Sequence, residues 1–265
     1  MSRPFDELIR IARQTVGIGS ELLYDRRPQV VTEKFDRDTY TDVDVSIERK
    51  IRKHLAAITP EIGFTGEEEG GINPAQEDLF WALDPIDGTS NFVHQIPLYA
   101  VQICLIKQGE PIVAAIDSPV LGVQYWAAIG HGAFANEQQI FASRVDDLSK
   151  AMVSIGDYAT GTNAAPKNRR RIAVTTKLAA QVERVRMIGS AALDLAWVAE
   201  GKLDGTVILS NNFLDIAAGA LIASEAGATV LDTNRNHYST HSPDIVAATR
   251  GISEKLLHLV TEVAP

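Results

Sequence analysis

The chain has 265 residues, 45% of them hydrophobic, and its 34 acidic against 25 basic side chains give a net charge of −9. That balance excludes a disordered or fibrous chain and argues against nucleic acid as a main partner. One cysteine, Cys104, rules out an intrachain disulfide and a cysteine-built zinc site; no signal-peptide core or membrane-length apolar run is seen, so a cytoplasmic protein is expected.

Pro4 stands at the start of an amphipathic helix marked by Phe5, Leu8, Ile9, Ala12 and Val16. Residues 30–44 are polar, hold Lys34, Asp36, Arg37, Asp38, Asp42 and Asp44, and read as a mobile surface loop. Ile47, Ile51, Leu55 and Ile58 recur at helical spacing, predicting a second helix with Asp44 near its beginning and Pro60 past its end. Residues 62–65 predict a short strand that runs into Gly66-Glu67-Glu68-Glu69-Gly70-Gly71.

Next comes Trp81-Ala82-Leu83-Asp84-Pro85-Ile86-Asp87-Gly88-Thr89-Ser90-Asn91-Phe92. Residues 79–83 are continuously apolar and predict a buried strand that stops at or before Pro85, which has no N–H to donate. Gly88-Thr89-Ser90-Asn91 has the composition of a helix start, whose unpaired N–H groups attract anions. Two carboxylates about 4 Å apart repel by roughly 4 kcal/mol at an effective dielectric near 20. They relieve that repulsion by sharing a proton, by pairing with a cationic side chain or by binding metal. No Lys or Arg lies between Lys53 and Lys107, so a paired cation must come from elsewhere in the chain. Oxygen-only ligands suit Mg²⁺ or Mn²⁺. Taken alone, D-P-x-D-G is equally an Asp-Pro turn with a solvated Asp87; an EF-hand is excluded because its remaining ligands are missing.

Strands at 101–106, 112–116, 123–128 and 133–135, separated by Gly- and Pro-bearing turns, predict an antiparallel meander with Cys104 buried in it. A first α+β domain over 1–143 is expected to carry the antiparallel sheet and metal site, and a second α/β domain over 144–265 to complete the site. The second half alternates a strand at 152–155, a helix at 169–180, a strand at 185–188 and a helix capped by Ser190 and closed by Gly201. A strand at 206–209, an apolar helix at 215–226, strands at 229–231 and 245–248 and a helix from Ser253 follow. Arg169-Arg170-Arg171 could recognise a second phosphate but reads rather as a solvated helix start, and His94 and His131 as structural or exposed. Singly, Glu67 is explained as a solvated turn and Asp44 and Asp215 as helix N-caps.

Together, Gly66-Glu67-Glu68, Asp84-Pro85-Ile86-Asp87-Gly88-Thr89-Ser90-Asn91-Phe92 and Asp215-Ile216-Ala217-Ala218-Gly219-Ala220 resemble the three signatures of the inositol monophosphatase family. Gly189-Ser190-Ala191-Ala192-Leu193-Asp194-Leu195 and Glu200-Gly201-Lys202-Leu203-Asp204-Gly205 resemble its second half, in order and spacing, along nearly the whole chain. The resemblance implies an α/β fold, the layered α-β-α-β-α sandwich of the inositol monophosphatase and fructose-1,6-bisphosphatase type, and hydrolysis of a small polyol or sugar monophosphate with two or three Mg²⁺. It implies that Glu67, Asp84 and the carbonyl of Ile86 bind one metal, Asp84, Asp87 and Asp215 a second, and Glu67 a weaker third. Asp44 and Thr89 are implied to orient and deprotonate the attacking water, and the N–H groups of Gly88 and Thr89 to receive phosphate. Asp87, Asp215, Gly189, Ser190 and Ala191 are implied to edge the substrate. A homodimer, activity with Mn²⁺ and inhibition by Li⁺ are implied as well.

The pattern departs from the family at the leaving-group side. Leu214 follows Asn211-Asn212-Phe213 where a tryptophan is common, and Ile208 stands where inositol-selective members place a hydroxyl-gripping glutamate. The loop around Lys34 is one residue short. Histidinol phosphate, fructose bisphosphate and a nucleotide 3′-phosphate are therefore open as substrates, and a non-catalytic regulatory protein on the same fold is the rival of another class.

Overall fold

A computed structural model describes residues 3–25, 27–35 and 38–263. Helices α1 (Phe5–Asp25) and α2 (Asp42–Ile58) flank an antiparallel hairpin of β1 (Val31–Phe35) and β2 (Asp38–Thr41). This corrects the loop expected over 30–44. Val31, Thr32, Thr39, Tyr40 and Thr41 carry the β-branched and aromatic side chains that favour pleated pairing, although the segment is charged overall. The Lys34 side chain, with Asp36 and Arg37, lies outside the described residues.

Strands β3 (Gly63–Gly66), β4 (Gly70–Gly71) and β5 (Leu79–Asp87) come next, then the short helix α3 (Thr89–Val93). β6 (Ala100–Lys107), β7 (Glu110–Ser118), β8 (Val123–Ala128), β9 (Ala133–Ala135) and β10 (Gln138–Ile140) form the expected antiparallel meander. These eight strands make one sheet in the order β10-β9-β8-β7-β6-β5-β3-β4, in which only β3 and β5 run parallel. A second sheet combines β11 (Met152–Ile155), β12 (Arg184–Arg186), β13 (Gly205–Ile208), β14 (Thr229–Leu231) and β15 (Ile245–Ala248) in the order β12-β11-β13-β15-β14. Helices α4 (Ala164–Gln181), α5 (Ala191–Ala199), α6 (Phe213–Glu225) and α7 (Ser253–Thr261) complete the chain.

The layering follows from side-chain parity on the strands. Trp81, Leu83, Ile103 and Leu105 pack with Ile11, Val16, Ile47 and Ile51 of α1 and α2 on one face of the large sheet. Phe80, Ala82, Cys104 and Ile106 point the other way, onto Leu195, Ile216 and Ile222 of α5 and α6. The same middle helices also cover Ile208, Ile245 and Ala247 of the second sheet, whose outer face meets Val174 and Leu178 of α4 and Leu256 and Leu257 of α7. The result is the α-β-α-β-α sandwich. Strands buried on both faces read as unbroken apolar runs, as residues 79–83 and 101–106 do.

β5 continues through Pro85 to Asp87, a correction to the stop expected before the proline. Its parallel neighbour β3 ends opposite Leu83, and pairing with β6 is interrupted between Asp84 and Asp87. Pro85 therefore sits at a bulge, where no partner needs its N–H.

Candidate active site

Asp84 has the parity of Phe80 and Ala82, so β5 turns it toward the middle helices, where α6 offers Asp215 in its first turn. Glu67 follows the end of β3, the strand beside β5. Oxygens of Glu67, Asp84 and Asp215 lie within 4.8 Å of one another, from three elements remote in sequence. The Gln102 side-chain amide on β6 ties two of these elements together. It donates to Asp84 Oδ2 at 3.1 Å and to the Asp215 carbonyl at 2.9 Å, and the Ile86 N–H donates to Asp84 Oδ1 at 3.0 Å. Burial raises the Asp84 carboxyl well above the usual carboxylate range, and the charges of Glu67, Asp87 and Asp215 raise it further. A cation at the triad would remove both penalties. An all-oxygen donor set fits a hard divalent cation.

Asp87 stands beside this triad and is held by the start of α5. Ser190 Oγ donates to Asp87 Oδ2, and the N–H groups of Ala191 and Ala192 donate at 3.2 and 3.1 Å. Ser190 is also the α5 N-cap, accepting from the Leu193 N–H at 3.2 Å, as its position before the apolar helix led us to expect. Burial raises the Asp87 carboxyl to about 7 against those hydrogen bonds. Gly88 has φ 85° and ψ 39°, and a Cβ there would come within 2.8 Å of the Leu98 carbonyl. Only glycine makes this turn without strain and crowding. Thr89 then opens α3, and its hydroxyl donates to the Ile86 carbonyl at 2.9 Å and to Asp44 Oδ1 at 3.4 Å.

Asp44 is fully buried and is not the N-cap of α2. Thr41 holds that place, and Asp44 is the third helical residue of a capping box, its Oδ2 receiving the Thr41 N–H at 2.8 Å. Burial raises its carboxyl to about 6, with Glu67 adding to the rise and Thr41 opposing it. Asn212 likewise displaces Asp215 as the α6 cap, and its side-chain amide donates to Asp215 Oδ1 at 2.8 Å. Neither aspartate is the N-cap itself, and Asp44 keeps Oδ1 for Thr89 while its Oδ2 closes the capping box.

A cavity of about 370 Å³ opens beside Asp87 and Asp215. Gly189, Ser190 and Ala191 edge it, and Ile208 forms part of its wall. So does Arg171, which is 5% exposed and donates to the Leu209 carbonyl at 3.1 Å. This corrects the reading of that cluster as a solvated helix start: α4 begins at Ala164, so Arg171 lies inside the helix on its buried side. His94 and His131 are exposed and Cys104 is buried.

Sequence reasoning missed Gln102, Thr41 and Asn212, and set Arg171 aside as solvated. A lone glutamine in the apolar run 101–106 was the available signal for Gln102, and its pairing opposite Asp84 gives it meaning. Among the described residues, no helix is long and apolar enough to cross a membrane.

The family model described as "Inositol monophosphatase family" matches residues 5–264. An inositol-1-monophosphatase of Mycobacterium leprae is 40% identical over 231 residues, 83% of this chain and 77% of that one. A Nus factor SuhB of Xylella fastidiosa is 37% identical over 206 residues, 76% of this chain and 72% of that one. The solved structure of a Thermotoga maritima IMPase superposes with a TM-score of 0.86 at 28% identity, covering 98% of this chain and 97% of that one.

Proposed function

Given that the chain belongs to the inositol monophosphatase family and is a phosphoric monoester hydrolase, we propose that it is Mg²⁺-dependent and cleaves a small polyol or sugar monophosphate. The carrying observation is the Glu67–Asp84–Asp215 triad beside the Thr89–Asp44 pair. Glu67, Asp84, Asp215 and the Ile86 carbonyl would hold the cations, with Asp87 completing the set. Divalent cations bound there would neutralise phosphoryl oxygens and lower the pKa of the attacking water.

The chain's own groups divide the remaining work. The Gly88 and Thr89 N–H groups receive the phosphate, which carries about two negative charges near neutral pH. Thr89 orients the water through its hydroxyl, and Asp44 takes the proton, its elevated pKa matching that task near neutrality. Asp87, clamped by Ser190 and α5, holds its carboxylate without a change of rotamer. The leaving alcohol lies in the cavity edged by Gly189, Ser190 and Ala191, whose size suits a sugar-sized group. Ile208 removes the hydroxyl-gripping carboxylate of inositol-selective relatives, which supports a broader polyol range than inositol 1-phosphate alone.

Family grounds extend the proposal to use of Mn²⁺, inhibition by Li⁺, a homodimer and a cytoplasmic setting, with a domain boundary near Ser143, where the two sheets part in sequence. The test is phosphate release from inositol 1-phosphate, histidinol phosphate, fructose bisphosphate and a nucleotide 3′-phosphate, with Mg²⁺ and with chelator. Turnover of a polyol or sugar ester that chelator abolishes is expected. No release from any ester, alongside a stable complex with a protein or RNA partner, would overturn it in favour of a regulatory protein.

A further inference from the structure

Glu48 lies one turn beyond Asp44 on α2, and its carboxylate is fully buried. It stands beneath the Glu67 loop. Oε2 accepts from the Glu68 N–H at 2.7 Å, and Oε1 from the Glu69 N–H at 3.0 Å. Arg52, one turn further along the helix, donates to Glu48 Oε1 at 2.6 Å and to the Gly70 carbonyl at 2.7 Å. Its guanidinium also lies 4.6 Å from the centre of the Phe64 ring on β3. The loop fits so closely that a Cβ on Gly66 would fall 2.2 Å from the Glu48 carboxyl carbon.

We propose that Glu48 and Arg52 are positioning residues that pre-set Glu67 for its cation; this rests on the cation-binding reading of the triad. The loop holds Glu67, Glu68 and Glu69 in succession, and repulsion from Asp84 and Asp215 pushes Glu67 away from the place where a cation needs it. Fixing the two N–H groups that follow Glu67 anchors the backbone against that push. A carboxylate bound by consecutive N–H groups forms a rigid anion seat. Arg52 offsets the charge of Glu48, so the anchor adds little net negative field to the site. One stripe of α2, with residues four apart, thus sends Asp44 to the reacting water, Glu48 to the ligand loop and Arg52 to their balance.

The variants Glu48→Gln and Arg52→Gln test this, with Mg²⁺ alone titrated by calorimetry and by its effect on Tm, and turnover followed against Mg²⁺ concentration. Glu48→Gln should raise the Mg²⁺ midpoint about 10–100-fold, the range for partners that orient metal ligands, with most lost turnover returning at high Mg²⁺. Arg52→Gln, at a half-exposed position, should shift the midpoint the same way by less. A lower Tm with an unchanged Mg²⁺ midpoint would overturn the proposal, because a merely structural role predicts that pattern. Should Glu48→Gln fail to fold, Arg52→Gln decides on the same criterion. An unmutated protein that gives no Mg²⁺ heat, no Tm rise and no turnover would sink the cation reading itself; a responsive parent with equally responsive variants sinks only this inference.

Discussion

The two ends of the site are built on different principles. At the carboxylate end, Asp84, Asp87 and Asp44 are buried, and each has oxygens held by backbone N–H groups of a bulge, a helix start or a capping box. At the cavity end, the walls come from the segment after β11, the α4 helix, the Gly189 turn and the end of β13, and several lining side chains are exposed. The carboxylate end is over-determined, since its geometry is fixed by backbone that cannot move without breaking a sheet or a cap. At the cavity end Ser190 and Ala191 also hold Asp87, but wall residues such as Ile208, Tyr158 and Lys167 can change without touching the carboxylates. Chemistry and selectivity are thereby separable within one pocket.

The sharpest way to break this contrast is at its rigid end. Asp84→Asn keeps the shape but removes a charge shared among the proposed cation ligands. Loss of several kcal/mol of transition-state stabilisation should lower kcat/KM by about 10³-fold or more, measured as phosphate release at saturating Mg²⁺. Near-normal turnover would end the metal assignment. Asp44→Asn should cost about 10²-fold, the lower end of general-base effects, while leaving Mg²⁺ binding by calorimetry largely in place. Activity of the parent should rise with pH as Asp44 loses its proton, on a limb at or below about 6, because nearby cations favour the ionised form. The Asn variant should lose that limb.

This contrast also explains what could be read before folding was considered. The stretch from Trp81 to Phe92 was legible because its chemistry is local: an apolar strand, a proline, and a glycine that only one turn geometry requires. The apolar runs and amphipathic helices gave the order of the elements, while the five layers were implied only by the family resemblance. The β1–β2 hairpin was not legible, since its short strands are rich in polar and charged residues and pair with each other as a separate two-stranded sheet. Asp44 and Asp215 looked like caps because the cap and the third helical position share residue preferences, and only the backbone shows that Thr41 and Asn212 hold the caps. Gln102, Glu48 and Arg171 depend on register and helix phase across elements far apart in sequence. Gln102 is marked locally only as a lone polar residue in an apolar run, and nothing local announces what Glu48 holds.

A smaller effect tests whether carboxylate repulsion stresses the rigid end. Burial raises the folded-state pKa of Asp44, Asp84 and Asp87 above their unfolded values. The folded protein therefore binds more protons than the unfolded chain between about pH 4 and 7, and stability falls as pH rises through that window. In chelator, Tm should be higher at pH 5.5 than at pH 8, each kcal/mol corresponding to about 2–4 °C for a chain of this size. Mg²⁺ should flatten the gradient, and so should Asp84→Asn without metal. A gradient of equal slope in that variant would place its origin in overall surface charge instead.

The gentlest test is at the cavity end, with Ile208→Glu. Ile208 is 6% exposed and lines the cavity, so a glutamate there extends into the space proposed for the leaving alcohol. A hydrogen bond to a charged acceptor contributes about 1.5–3 kcal/mol, which sets roughly tenfold as the lower bound on the gain in kcat/KM for inositol 1-phosphate relative to p-nitrophenyl phosphate. The ratio matters because p-nitrophenol has no ring hydroxyls, so any general damage from placing a carboxylate near Asp215 lowers both esters and cancels. Ile208→Gln, of similar size but uncharged, should give a smaller gain in the same direction. An unchanged ratio in both variants would mean that the substrate's hydroxyls do not reach the β13 wall, moving selectivity to the Arg171 side while leaving the carboxylate end as described.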